Sequence, residues 1–278
     1  MRFGGCLAEA TGGWFHMAVA RLDGVDLFYE VRGEGRPIVL IAGYTCDHTF
    51  WNGIVPALAH AGRVVALDNR GVGRTKDDGK PLTIELMARD AAALIEHLKL
   101  SRPVVVGQSM GGAIVQAMLA RLPHVCGPCV ILNSAAAFRT APMKALESLL
   151  ELRKAGVDLD LVIDASLPWV QGSEWLSNPD NIAAFKAAIK FNPAPQSASD
   201  QERQLRAVQQ FDARSINKPW PLPATVVSAT EDVIAMPSEG KVLAGQLGAT
   251  FIEIPGGHGS PIEQPERVSR ILIEAIDR

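Results

Sequence analysis

The sequence predicts an α/β fold: a mostly parallel sheet of eight strands with helices packed on both faces. Three observations predict it. Short β-branched runs such as PVVV at 103–106 are apolar almost throughout, as strands buried on both faces are. Between such runs lie segments with apolar residues at helical spacing, and strands alternating with helices on this scale build a parallel sheet covered on both sides. The chain has 278 residues, 47% hydrophobic and 21% charged, enough for one sizeable packed domain without a second.

Taken in order, 19–32 reads as a β-hairpin that turns at Gly24. PIVLI at 37–41 is the first buried strand, 48–60 is helical and 63–67 is a strand. The helix at 83–98 carries Ile84, Met87, Ala91, Leu94, Ile95 and Leu98 on one face. A strand at 103–107 leads into a helix at 110–122, with Ile114, Met118, Leu119 and Leu122 at helical spacing. After the strand at 129–133 comes a long interruption. The pattern then resumes with strand 224–229, helix 237–247, strand 250–254 and helix 264–277, the last opened by Pro265 in its first turn. No internal repeat or low-complexity segment is visible.

Three residues just past apolar runs carry the chemistry: Ser109, Asp232 and His258. They supply a nucleophile, an acid and a base in the chain order Ser, Asp, His. Ser109 lies in Gly107-Gln108-Ser109-Met110-Gly111, a G-x-S-x-G sequence between a strand and a helix, where a sharp turn lifts the hydroxyl above the sheet. Gly107 and Gly111 leave room for that turn, since a Cβ would collide with the adjoining strand and helix. A serine hydroxyl is a poor nucleophile, so His258 is expected to take its proton and Asp232 to hold the imidazole in the right tautomer. Glu231 is the neighbouring alternative for the acid. The other histidines fall in the N-terminal region, on helix surfaces or at a helix end. His48 is the exception: with Cys46 and Asp47 it can face a pocket, although Asp47 equally fits a helix cap.

The chain resembles the α/β-hydrolase family from about Val19 to Ile276. The resemblance rests on GQSMGG at 107–112, on DNRGVGRT at 68–75, and on Gly256-Gly257-His258 followed by Glu263-Gln264-Pro265-Glu266. Within the family it looks most like small bacterial esterases and lactonases of the 3-oxoadipate enol-lactonase type. The resemblance implies an acyl-enzyme mechanism, with an oxyanion hole formed by the backbone N–H groups of Met110 and Tyr44. It also favours Asp232 over Glu231, because the family's acid lies a few residues before a helix-starting proline, here Pro237. The family's histidine before the second donor is absent: the chain has Ala42-Gly43 there. The interruption, 138–219, resembles the helical cap inserted after the sixth strand. This divides the chain into a core at 17–137 and 220–278, the cap at 138–219, and an N-terminal extension at 1–16 expected to be disordered or peripheral. Phe138 and Trp169 are candidates to roof an apolar substrate pocket, each also suited to packing the cap onto the sheet.

Other classes are disfavoured. A net charge of −3 without a basic stripe argues against nucleic acid, and no apolar run reaches the roughly 20 residues of a membrane span. A cytoplasmic location is the default without an N-terminal signal core. Cys126-Gly127-Pro128-Cys129 spells a redox tetrapeptide, but it follows a helix where a low thiol pKa requires a helix N-terminus. No cluster has zinc-ligand spacing, and neither metal nor cofactor is expected. The expected function is hydrolysis of a small, largely apolar carboxylic ester or lactone. Carbon–carbon bond hydrolysis and cofactor-free perhydrolysis use similar triads, and some proteins of this fold keep the triad yet act as small-molecule receptors.

Overall fold

The computed structural model of the protein describes residues 15–277. Eight main strands run in chain order as β1 (Phe15–Leu22), β2 (Val25–Arg32), β3 (Pro37–Ile41), β4 (Arg63–Leu67), β5 (Val104–Gln108), β6 (Cys129–Leu132), β7 (Ala224–Ala229) and β8 (Thr250–Ile254). They lie side by side in the order β1-β2-β4-β3-β5-β6-β7-β8, and the sheet has a ninth strand, the two-residue Lys76–Asp77 against β2. Eight strands were expected. Two polar residues carry no periodic signal, and only the pairing with Val25 and Asp26 defines that strand. The first two strands are antiparallel, and every pairing from β4 to β8 is parallel.

The core follows from the period of two along each strand. Val39 and Ile41 join one cluster, with Val105, Ile131 and the helices α2 (Ile84–His97), α3 (Met110–Arg121) and α9 (Pro237–Leu247). Ile38 and Leu40 face the opposite cluster, with Val104, Val106, α1 (Val55–Ala61) and α11 (Pro265–Ile276). The central strands are therefore apolar on both faces because both faces are covered.

Three boundaries differ from the sequence reading. Residues 1–14 of the expected N-terminal extension lie outside the described residues, but Phe15 and His16 belong to β1, paired with Arg32 and Val31. The span 48–60 is two elements: a 3-10 turn at His48–Trp51, then α1, which Pro56 opens after Asn52 and Gly53. The insertion between β6 and β7 is helical, comprising α4 (Thr140–Lys154), α5 (Leu159–Val170), α6 (Ser173–Leu176), α7 (Pro179–Lys190) and α8 (Ala198–Gln210). Its last stretch, 212–219, packs on the core instead of the cap. There Ala213 N–H donates to the Ala136 carbonyl at 2.7 Å, and the Asn217 amide donates to Gln116 on α3 and Gln246 on α9.

The 68–75 sequence that supports the family resemblance proves to be a brace. Arg70 makes a two-pronged ion pair with Asp90 on α2 at 2.6 and 2.8 Å and donates to the Gly24 carbonyl, tying the hairpin turn to the helix layer. Asp68, fully buried, accepts from the backbone N–H groups of His48 and Arg74.

Candidate active site

Parallel strands put their carboxyl ends on one edge of the sheet, and a crevice opens where the strand order reverses. Here the reversal lies between β3 and β5, since β4 flanks β3 on one side and β5 on the other. The loop after β3 carries Tyr44 and the loop after β5 carries Ser109, so both border that crevice. Gly43 lies close enough that a Cβ there would sit 3.2 Å from Ser109 Cβ.

Ser109 occupies a sharp elbow, with φ 53° and ψ −116°, a conformation that a side chain rarely adopts. The turn closes only around small neighbours. A Cβ on Gly107 would run into the Gly111 backbone, and one on Gly111 into the Ile41 carbonyl. Ser109 starts α3, and no hydrogen bond engages the backbone N–H of Met110 or of Tyr44 among the described residues.

The structure brings the three separated residues together. His258 Nε2 lies 2.7 Å from Ser109 Oγ, and its Nδ1 lies 2.8 Å from Asp232 Oδ2. All three are buried. The Asp232 carboxylate accepts from four donors: His258, the Asn133 amide at 2.9 Å, and the backbone N–H groups of Ile234 and Ala235, both at 2.8 Å. With its lone pairs filled and aimed, the carboxylate accepts a hydrogen bond from Nδ1–H, which leaves Nε2 free to accept from the serine hydroxyl. Glu231 points elsewhere, its carboxylate accepting from Ser173 in the cap, which holds it below the ordinary carboxylate range.

Asn133 is the residue that sequence reasoning missed. It follows β6, where the sequence offers no carboxylate. With φ 48° it turns back to donate to Asp232, while its Oδ1 accepts from Ser260 Oγ at 2.6 Å. The available signal was its place at the carboxyl end of a central strand. The loop of His258 is held at its ends: Gln108 Nε2 donates to the His258 carbonyl at 3.0 Å, and Glu263 accepts from Gly257 N–H. Burial pushes the Glu263 carboxyl up, against the lowering effect of the backbone donors from Gly172 and Gly257. Gly172 belongs to the cap, and Gly259 N–H donates to the cap carbonyl of Val170 at 2.6 Å.

Beneath the cap lies a cavity of about 320 Å³ that reaches Ser109 and His258. Its apolar wall includes Leu159, Val162, Ile163 and Val170, which share one face of α5 at helical spacing. Phe138 and Trp169 are not in that wall. Both are half-buried and pack against the core cluster, and Trp169 lies to the side of the face that Val170 presents. Phe185 and Ile189 of α7 line the cavity where Phe138 and Trp169 were expected.

His48 faces away from the cavity. Its ring Nδ1 lies 2.7 Å from Asp68 Oδ1, and Asp47 caps the 3-10 turn through Thr49 while accepting from Asn192 in the cap. Burial opposes the charge on His48, but the hydrogen bond to Asp68 and the charges of Asp68, Asp47 and Glu30 outweigh it and raise its pKa. Asp47, His48 and Asp68 bring ligand-type atoms within 4.8 Å of one another, all three engaged in these contacts. Cys126 and Cys129 are buried free thiols, each pushed up by burial to about 12, the opposite of the lowered thiol pKa that a redox tetrapeptide needs.

Residues 36–265 match the α/β-hydrolase fold family. The chain belongs to that family. Among its relatives is a protein of Mycobacterium tuberculosis (strain H37Rv), provisionally named the non-heme bromoperoxidase BpoC, 29% identical over 255 residues, 90% of this chain and 97% of that one. A pyrrolizixenacetamide deacetylase of Xenorhabdus hominickii is 27% identical, covering 92% of this chain and 96% of that protein. The crystal structure of the enol-lactonase from Burkholderia xenovorans LB400 superposes with a TM-score of 0.84 at 27% identity, covering 94% of this chain and all of that one. Among the described residues no helix is long and apolar enough to cross a membrane.

Proposed function

We propose that this α/β-hydrolase cleaves a small, largely apolar carboxylic ester or lactone through an acyl-enzyme. Ser109 is the nucleophile, His258 the general base and then acid, and Asp232 the group that orients and stabilises the imidazolium. The observation that carries the reading is the buried relay from Asp232 through His258 to Ser109, at 2.8 and 2.7 Å. As Ser109 Oγ attacks the carbonyl carbon, its proton moves to Nε2. The oxyanion that forms is received by the N–H groups of Met110, at the positive end of α3, and Tyr44. The relay returns the proton to the leaving oxygen, and water then repeats the sequence in reverse. Similarity to the enol-lactonase supports a lactone or ester as the electrophile.

A second reading is favoured by one observation, the relative named as a bromoperoxidase. Hydrogen peroxide in place of water at the acyl-enzyme would release a peracid, with no change in the residues required. Both readings rest on the same test. Wild-type protein and Ser109→Ala are compared on a panel of esters and lactones, with peroxide added in a parallel series. The expected loss is roughly 10⁴- to 10⁶-fold in turnover with little change in thermal unfolding. Retention of activity within tenfold would remove Ser109 as nucleophile, and single-turnover hydrolysis by the wild type would favour a receptor.

A further inference from the structure

Gln171 ends α5 of the cap, and nothing in the fold accounts for its side chain. It is only 5% exposed, yet it lines the cavity beside His258. Its Oε1 is sealed off without a hydrogen-bond partner. Nε2 bonds to nothing either among the described residues, but it is not sealed, and it is the end of the amide that keeps surface in the cavity. Other polar side chains of the wall are engaged. Ser166 Oγ donates to the Ile163 carbonyl at 2.7 Å, Gln108 Nε2 to the His258 carbonyl at 3.0 Å, Asn192 Nδ2 to Asp47 at 2.8 Å and Arg153 to Gln201 at 2.6 Å. A buried amide left unpaired costs free energy that an oxygen of a bound molecule can recover.

The residue is also held in place. Gln171 N–H donates to the Leu167 carbonyl at 2.9 Å, and both flanking positions are pinned to the His258 loop, Val170 through its carbonyl to Gly259 N–H and Gly172 through its N–H to Glu263. Gln171 leans on both neighbours of His258. A Cβ on Gly257 would sit 2.6 Å from the Gln171 carbonyl carbon, and one on Gly259 would sit 2.7 Å from Oε1 and 3.0 Å from Nε2. Gln171 therefore runs alongside the histidine. In the proposed reaction the leaving oxygen takes its proton from His258 Nε2, whereas the carbonyl oxygen turns toward the N–H groups of Met110 and Tyr44. The alcohol portion thus departs along His258, where the Gln171 amide stands.

We propose that Gln171 is a specificity-determining residue that hydrogen-bonds a hydroxyl on the alcohol portion of the substrate, so that the preferred substrate is an ester of a short hydroxylated alcohol. The inference rests on the hydrolase reading of Ser109 and deepens it. Nε2 donates to the hydroxyl oxygen, which supplies the partner that the fold does not. An all-carbon alcohol of the same shape would leave the amide unpaired, and a site built around a hydrogen bond to a substrate hydroxyl discriminates against the analogue that lacks it. The acyl portion falls to the apolar residues of α5 and α7, and the cavity of about 320 Å³ limits the whole to a small molecule.

The test is a competition. The protein is given an equimolar mixture of 3-hydroxypropyl butyrate and butyl butyrate, which differ only by a hydroxyl in place of a methyl at the end of the alcohol portion, and the two released alcohols are measured at early times. Their ratio is the ratio of kcat/KM values and does not depend on how much of a variant is folded. Wild-type protein is expected to favour the hydroxy ester roughly 10- to 100-fold, and Gln171→Met, which keeps the length of the side chain but loses the amide, should bring the ratio to about threefold or less. A wild-type ratio near one, or an unchanged ratio in Gln171→Met, would overturn the assignment and leave Gln171 as a strut between the cap and the His258 loop. A binding arm separates this from failure of the hydrolase reading. If wild-type protein turns over neither ester, the thermal midpoint of Ser109→Ala protein is measured with each. A larger rise with the hydroxy ester that disappears when Gln171→Met is added would keep the Gln171 site while the hydrolase reading falls. Equal rises, or none, would remove the Gln171 site as well.

Discussion

The floor of the cavity and its roof are built in opposite ways. On the floor, α3 is buried continuously from Met110 to Leu119, and Ser109, Asn133, Asp232, His258 and Ser260 have no buried polar atom without a partner. In the roof, α6 and α7 bury no residue fully, and the polar atoms that lack partners include Gln171 Oε1 and Gln196 Oε1. A fully satisfied polar network in a low-dielectric interior is rigid and tolerates little change. A half-exposed helical layer, held to the floor by contacts such as Gly259 to Val170 and Asn192 to Asp47, has room to vary. On the proposed function, the rigid floor would carry the bond-breaking chemistry and the insertion the choice of substrate.

The strongest way to break that contrast is to disturb the floor. Asp232→Asn should lower turnover about 10⁴-fold by favouring the wrong imidazole tautomer, whereas Glu231→Gln, which removes only a contact to Ser173, should stay within threefold. Steady-state rates for both variants on one ester decide it, and the acid moves by one residue if Glu231→Gln is the more damaging.

A roof substitution should alter preference rather than rate. Phe185→Ala, which empties part of the wall and releases the edge-on contact with Trp175, should change the ranking of acetate, butyrate and octanoate esters by roughly 10- to 100-fold. Trp169→Ala should leave that ranking alone and cost about 1–3 kcal/mol of stability, because its ring packs against the core. Comparing kcat/KM across the three esters with thermal unfolding distinguishes the two. A changed ranking from Trp169→Ala would blur the division between wall and anchor.

The smallest effect is expected at His48, whose partners Asp68 and Glu30 lie in the floor. His48 has a raised pKa in the folded protein, so the stability its charge contributes is present below its unfolded value near 6.5 and is lost as pH rises through the folded value. His48→Gln should therefore destabilise by about 1 kcal/mol at pH 5.5, with the gap from wild type narrowing toward pH 9. Denaturant unfolding of both proteins at the two pH values measures it, and a gap that widens with pH would contradict the assignment of its partners.

Much of this molecule is written in local pattern. Runs such as PVVV, the 3.6-residue spacing in α2 and α3, and the glycines around Ser109 determine the sheet, its covering helices and the elbow, because each depends only on neighbours in the chain. The same patterns placed Ser109, Asp232 and His258 at strand ends before any contact was known. The ends of elements were less legible: Phe15, His16, Lys76 and Asp77 become strand only through partners on β2. Asn133 carries no motif, and its part in holding Asp232 follows from β6 and β7 lying side by side. Whether Trp169 or Val170 meets the cavity was fixed by how α5 rotates against the core, a choice among faces that helical spacing leaves open. Nor does the sequence join Gln171 to Gly257 and Gly259, far apart in the chain, since only the docking of the cap over the sheet edge lays the one against the others.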